Sequence, residues 1–259
     1  MSYTKEQCEH FCNSCREILE QLKELQLKIV VQGQPFEATS RLREHLLHGA
    51  ARRVGVIRRS IQNIYTTFPP DTTRPLSPDA LADVNINLHA FMINLYGLHD
   101  NWAWAYVLRH NLEEVIGGRR RIGLFIQATS CKLPTELRAY ISSATIANWY
   151  KKYVMFFRDA LAHRIPPYIP PALITHAEGD RFNELESEMV KCIKARQWQR
   201  VEEIWVEQAA IGVPCLSFLH AFTEDTPANP VMLHSQILCD AKAIVEFGEL
   251  FLEHWHKEP

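Results

Sequence analysis

Thr39-Ser40-Arg41-Leu42-Arg43-Glu44-His45-Leu46-Leu47-His48-Gly49-Ala50-Ala51-Arg52-Arg53-Val54-Gly55-Val56-Ile57-Arg58-Arg59-Ser60-Ile61-Gln62-Asn63-Ile64-Tyr65-Thr66 decides the fold class. Leu42, Leu46, Ala50, Val54, Ile57, Ile61 and Ile64 recur three or four residues apart, the spacing of one face of an α-helix. Arg52, Arg53, Arg58 and Arg59 fall on the other face, where a charge set is ordinarily solvated and a phosphate contact is the competing role. The segment therefore predicts a long amphipathic helix over about Thr39–Thr66 that buries one stripe.

Working outward, the same period recurs on both sides. Residues 3–30 predict a helix with Phe11, Ile18, Leu22, Leu25 and Ile29 near helical spacing, ended by Gly33 and Pro35. Downstream, Pro69 to Pro78 is turn-rich, and Ser77-Pro78-Asp79 predicts a helix start with Ser77 as cap and Pro78 in the first position. That third helix runs to about His110 and buries Val84, Leu88, Phe91, Leu95, Leu98 and Trp102. It is interrupted by His99-Asp100-Asn101, polar residues of poor helix propensity beside two tryptophans. They are either solvated at a bend or buried and hydrogen-bonded. Gly117-Gly118 breaks the chain before Arg119-Arg120-Arg121, its densest basic spot. Residues 119–133 read as a loop with a short extended piece at Ile122–Ile126, and Pro134 opens a short helix. A fourth long helix spans about Ile146 to His163, with Ile146, Trp149, Tyr150, Tyr153, Phe157 and Leu161 inward. Asp180–Ala210 holds one or two helices, with Phe182, Leu185, Met189, Ile193, Val201, Ile204 and Trp205 inward. A last helix covers about Val231 to His256. With no repeat and no strand alternation, the expectation is an all-α bundle of four to six long helices. It forms one domain over residues 1–259, with its core in about 1–171 and the helices of 172–259 packed on it.

Composition narrows the function classes. The chain has 259 residues, 47% hydrophobic, enough for one sizeable core. A net charge of −2 gives no global field toward nucleic acid or an anionic membrane, so a polyanion would need a local basic cluster. No apolar run approaches the roughly 20 residues needed to span a bilayer, and the first residues lack a signal-peptide pattern. The expectation is a cytoplasmic protein without a membrane partner. Seven cysteines, an odd number, suit reduced thiols better than a disulfide framework. Cys8, Cys12 and Cys15 flank His10, yet their offsets describe one helical stripe and no second half-site exists. His45 and His48 have no supporting carboxylate arrangement. Phosphate-loop, dinucleotide, nucleophile-elbow and zinc-protease motifs are all absent. No metal and no cofactor are expected.

What remains chemical is Arg158-Asp159-Ala160-Leu161-Ala162-His163, at the end of the aromatic fourth helix and stopped by Arg164-Ile165-Pro166-Pro167-Tyr168-Ile169-Pro170-Pro171. With 18 arginines and 12 histidines, chance supplies about one Arg–His pair at any fixed spacing, and Arg43 with His48 is such a second pair. Context separates the two: Arg158 precedes a short polar residue, and His163 meets a rigid proline stop that disfavours further helix.

At these residues the sequence resembles the HEPN superfamily of helical proteins, whose motif is an arginine, a polar neighbour, and a histidine four to six residues beyond the arginine near the end of a late helix. The proline-rich tail resembles a branch of uncharacterised bacterial proteins with this motif. The aspartate at position 159 departs from asparagine, which suits a phosphate site better. The resemblance implies a homodimer in which two motifs face one cleft, with Arg158, His163 and Asp159 cleaving RNA without metal. Chemically, cleavage by a ribose 2′-hydroxyl needs a base, an acid and charge stabilisation, which histidine and arginine supply. On an ideal helix the two side chains lie about 140° apart, so either the helix loosens at His163 or a second subunit completes the site. Asp100 and Asn101 are expected to support the motif by packing against the helix end, and Arg119, Arg120 and Arg121 to attract the RNA backbone. Two readings stand: an endoribonuclease, toxin-like or defensive by analogy, and a non-catalytic helical module binding a partner protein or nucleotide.

Overall fold

Thr4 starts the first helix. Its side chain accepts from the Gln7 backbone while the Gln7 side chain accepts from the Thr4 backbone, a reciprocal cap that opens α1 (Lys5–Gly33). The computed structural model describes residues 2–220 and 227–256. The amphipathic stretch after it forms one continuous helix, α2 (residues 41–67), but its segment Glu44–Ala51 is π-helical. There the backbone hydrogen bonds skip one residue further than in an α-helix. Gln26 of α1 donates to the Ala51 carbonyl at 3.0 Å, giving that oxygen a partner from outside its own helix. Ser77 caps α3 (Pro78–Arg109) with Pro78 at its start, as expected from the sequence.

Four short helical pieces come next. They are α4 (Glu113–Ile116), a 3₁₀ turn at Arg119–Arg121, α5 (Gln127–Ser130) and α6 (Thr135–Ser142). The fourth long helix, α7 (residues 144–163), contains a second π segment at Tyr150–Val154 and is regular from Met155 to His163. The chain continues through α8 (His176–Lys194) and α9 (Trp198–Ala209), an antiparallel pair β1 (Ser217–His220) and β2 (Asn229–Met232), and α10 (Leu233–Glu253).

The molecule is mostly helical, in keeping with the all-α expectation. The extended piece expected at Ile122–Ile126 is not there. Thr129 Oγ1 donates to the Arg121 carbonyl and accepts from the Gly123 backbone, folding the segment into a turn. Gly117 and Gly118 precede it at φ 85° and 95°, a backbone region open to glycine. The two-stranded ribbon departs from the expectation, and it delays the last helix from Val231 to Leu233.

One core joins α1, α2, α3, α7 and α10, with Trp102, Tyr106, Phe251 and Trp255 fully buried in it. His234 at the start of α10 ties three elements together. Its Nε2–H donates to the Phe68 carbonyl at 2.8 Å and its Nδ1 accepts from the Tyr3 hydroxyl at 3.3 Å. Residues 172–259 divide in their packing. α10 lies on α1 within the main core, whereas α8 and α9 share a smaller cluster of Leu185, Met189, Cys192, Val201 and Ile204. Ile193 and Trp205, expected inward, are 42% and 53% exposed. No helix among the described residues is long and apolar enough to cross a membrane.

Candidate functional site

The middle of α3 organises the polar chemistry of the molecule, because both π segments pack against it. The α3 helix runs unbroken through the polar interruption. Asn94, Gly97 and Asn101 stand on one stripe of α3 and Tyr96 and Asp100 on another, the first turned to α2 and the second to α7.

On the α7 side, Arg158 Nη1 donates to Asp159 Oδ1 at 2.7 Å, and its guanidinium lies 5.6 Å above the Tyr96 ring. Tyr96 in turn stacks on Tyr150 of the π segment. Arg158 is thus held by an ion pair and an aromatic face while its side chain stays 41% exposed. Burial pushes the Asp100 carboxyl above the usual carboxylate range, and Arg53 and Arg158 pull it back. His163 is exposed in the last helical residue, and no side chain among the described residues hydrogen-bonds it. Arg164 leaves the helix in extended conformation with its guanidinium over Phe156. The widened turn of α7 lies before the motif rather than within it, so regular geometry keeps Arg158 and His163 about 140° apart. One copy of the chain does not converge them on a single point.

The supporting residues divide. Asp100 faces the motif electrostatically. Asn101 turns instead to α2, accepting from Arg53 Nε at 2.8 Å and meeting His45 Nδ1 through its amide nitrogen at 3.2 Å. Arg119, Arg120 and Arg121 are exposed, and Arg119 pairs with Glu113, which also pairs with Arg41 at 3.0 Å. Arg41 stacks over Trp104, which lies flat against His45. The arginine turn therefore connects through Arg41 to the α2 side of α3. Arg43 donates to the Phe36 carbonyl, so the second Arg–His pair is a loop tether at its arginine. Cys8, Cys12 and Cys15 lie partly or fully buried along α1, and no group of three or more metal-ligating side chains occurs among the described residues.

Arg53 departs from its sequence expectation. Its place among the basic residues of α2 implies a solvated face, yet it lies across α3, bonded to Asn94 at 3.1 Å as well as to Asn101. Two glycines make this arrangement fit. A Cβ at Gly97 would stand 2.4 Å from the Arg53 Cζ, and one at Gly49 would stand 2.4 Å from the Asn101 Nδ2. Glycine inside a helix costs about 1 kcal/mol relative to alanine, so mid-helix glycines on two successive helices are the signal that the sequence carries. Gly97→Ala is expected to displace the Arg53 fork and lower stability by about 1 kcal/mol, despite the better helix former. A melting curve of the variant, read beside Gly179→Ala, whose Cβ would meet only Ile174 Cδ1 at 3.7 Å, measures it.

Compared with protein-family models, with curated proteins and with solved structures, the chain matches none.

Proposed function

We propose that the chain is a metal-independent endoribonuclease acting as a homodimer in the cytoplasm, with Arg158 and His163 of two facing copies forming one cleft. The observation that carries this reading is the motif's exposure. Arg158 is oriented by Asp159 and Tyr96 but keeps part of its donor fork open, and His163 offers at the same helix end an exposed imidazole that no side chain among the described residues hydrogen-bonds. In such a cleft the guanidinium stabilises the phosphorane oxygens, and an imidazole moves the 2′-hydroxyl or leaving-group proton. Asp159 acts as the positioning residue for Arg158. Its negative charge lowers the pull on a polyanion, so Arg158 serves more as an aimed donor than as an attractor. Seven free thiols, two of them exposed, suit a reducing compartment.

A second reading is favoured by a different surface. An apolar cavity of about 690 Å³ lies between the start of α3 and the α8–α9 pair, lined by Leu76, Leu81, Phe182 and Trp205 among others. Such a surface away from the motif suits a non-catalytic module that binds a partner.

Incubating the purified protein with mixed RNA in chelator separates the two. Cleavage is expected, weakening as salt rises. His163→Ala and Arg158→Ala are each expected to lose about 100-fold or more of the rate with helical content unchanged, since neither side chain is buried in the core. Arg43→Ala is expected to cleave normally. No product from a folded dimer over many RNAs, or undiminished cleavage by His163→Ala, sinks the ribonuclease and leaves the binding module.

A further inference from the structure

On the α2 side of the α3 ridge a polar groove of about 480 Å³ opens, lined by His48, Arg52, Arg53, Asn94 and Asn101, with Glu44 also on its wall. Its volume falls within the range of small-ligand sites. Arg53 is the informative member. Its Nε and Nη1 donate to Asn101 and Asn94, both neutral amides, and no ion pair engages it among the described residues. Asp100 senses its charge without bonding to it. The guanidinium is therefore aimed without being neutralised, the reverse of Arg158, whose partner is a carboxylate. Asn101 is itself fixed through His45, whose ring lies parallel to Trp104 at 5.3 Å. Gly49 and Gly97 clear the space that these side chains fill, and the groove wall is the π segment of α2. Such widened turns recur at functional sites. A half-buried guanidinium oriented by amides and flanked by a second arginine suits a tetrahedral oxyanion.

We propose that this groove binds a phosphate group, with Arg53 as the oriented fork and Arg52 and His48 closing on the remaining oxygens. The site stands independently of the cleavage reading. Its phosphate belongs either to a mononucleotide or to the backbone of a single-stranded RNA, and the two arms of the test distinguish them.

The full-length chain is titrated calorimetrically with adenosine 5′-monophosphate and, separately, with a 2′-O-methyl hexanucleotide that a 2′-hydroxyl mechanism cannot cleave. Saturable binding of at least one probe is expected, the tighter probe naming the source. Arg53→Gln and the exposed Arg52→Gln are each expected to weaken it about tenfold or more, and Arg43→Ala, which loses only a tether to the Phe36 carbonyl, to leave the nucleotide affinity unchanged. Because Arg52 supports no packing, its variant decides the matter if Arg53→Gln proves unfolded. Absence of binding to either probe at millimolar concentration, or unaltered affinity in folded Arg52→Gln, overturns the site. Binding without any RNA cleavage removes the ribonuclease and keeps this groove; cleavage with binding indifferent to Arg52 and Arg53 does the opposite.

Discussion

Lowering the pH from 6.5 to 4 is expected to remove several kcal/mol of folding stability, read as a falling denaturant midpoint at constant slope. Three imidazoles cause it. His99 is enclosed by Phe125, Trp149, Tyr150 and Phe247, with Nδ1–H donating to the Leu95 carbonyl; His234 is enclosed by Tyr3, Phe11, Tyr65 and Phe68. His220 packs on Phe157 with Arg164 nearby. Burial pushes all three down to about 4. The unfolded chain takes up a proton at each near pH 6.5, the folded chain only near 4, so the native state loses ground throughout that window. For the deeply enclosed His99 and His234 the loss is up to about 3 kcal/mol each. His234→Gln, which keeps a donor for the Phe68 carbonyl, is expected to flatten part of the slope. A stability that is level between pH 4 and 6.5 contradicts the assignment.

Asp240→Asn is expected to stabilise the protein by about 2 kcal/mol at pH 8 and to destabilise it by a similar amount below pH 4, where only the cost of its unpaired amide remains. Asp240 is buried in α10. Trp149 Nε1–H and Gln236 Nε2–H both donate to its Oδ1 at 2.7 Å, while Oδ2 meets no partner among the described residues. Burial dominates the two donors and raises the carboxyl to about 7. Below the ordinary carboxylate range both states are protonated and the group costs nothing. As pH climbs to 7 the unfolded chain has released a proton that the folded chain still holds, so stability falls, and above 7 a buried charge is carried in full. Asparagine keeps both acceptor bonds on its oxygen and removes that charge, at the smaller cost of an unpaired amide. Between pH 4 and 6.5 this carboxyl opposes the imidazoles, but one group against three leaves their sign. Equal stability of the variant and wild type at pH 8 defeats the prediction.

The long helices are legible in the sequence because burial writes itself as a stripe. Leu42 to Ile64 and Val84 to Trp102 are buried as their spacing implies, and Ser77-Pro78 caps α3 through ordinary local chemistry. The path of Arg53 is illegible for a geometric reason. A uniform 100° per residue assigns faces correctly only while the helix stays α, and the π segment between Glu44 and Ala51 rotates every residue beyond it. Its trace is present in Leu42, Leu46, Ala50 and Val54, three successive intervals of four, which would drift around a regular helix. The ribbon at Ser217–His220 escapes because four residues give too few alternations to outvote a helical context. The Arg158–His163 motif is visible as a pattern and Asp100 is expected beside it from its polarity, while the aromatic face of Tyr96 comes from a distant stretch that only the folded chain brings near.

The two widened turns have a consequence for how this chain tolerates change in length. Each accommodates more residues per turn than the helix around it, so a single-codon deletion inside Glu44–Ala51 or Tyr150–Val154 need not break its helix. It would let the turn tighten to ordinary pitch while the residues beyond it keep their phase, because the wide turn already takes up one residue more. Arg53 would then stay across α3 and Arg158 over Tyr96, whereas the same deletion in a regular stretch of either helix would rotate everything beyond it by about 100°. Both polar faces thus withstand the loss of one residue where the turn is wide and are erased by it elsewhere.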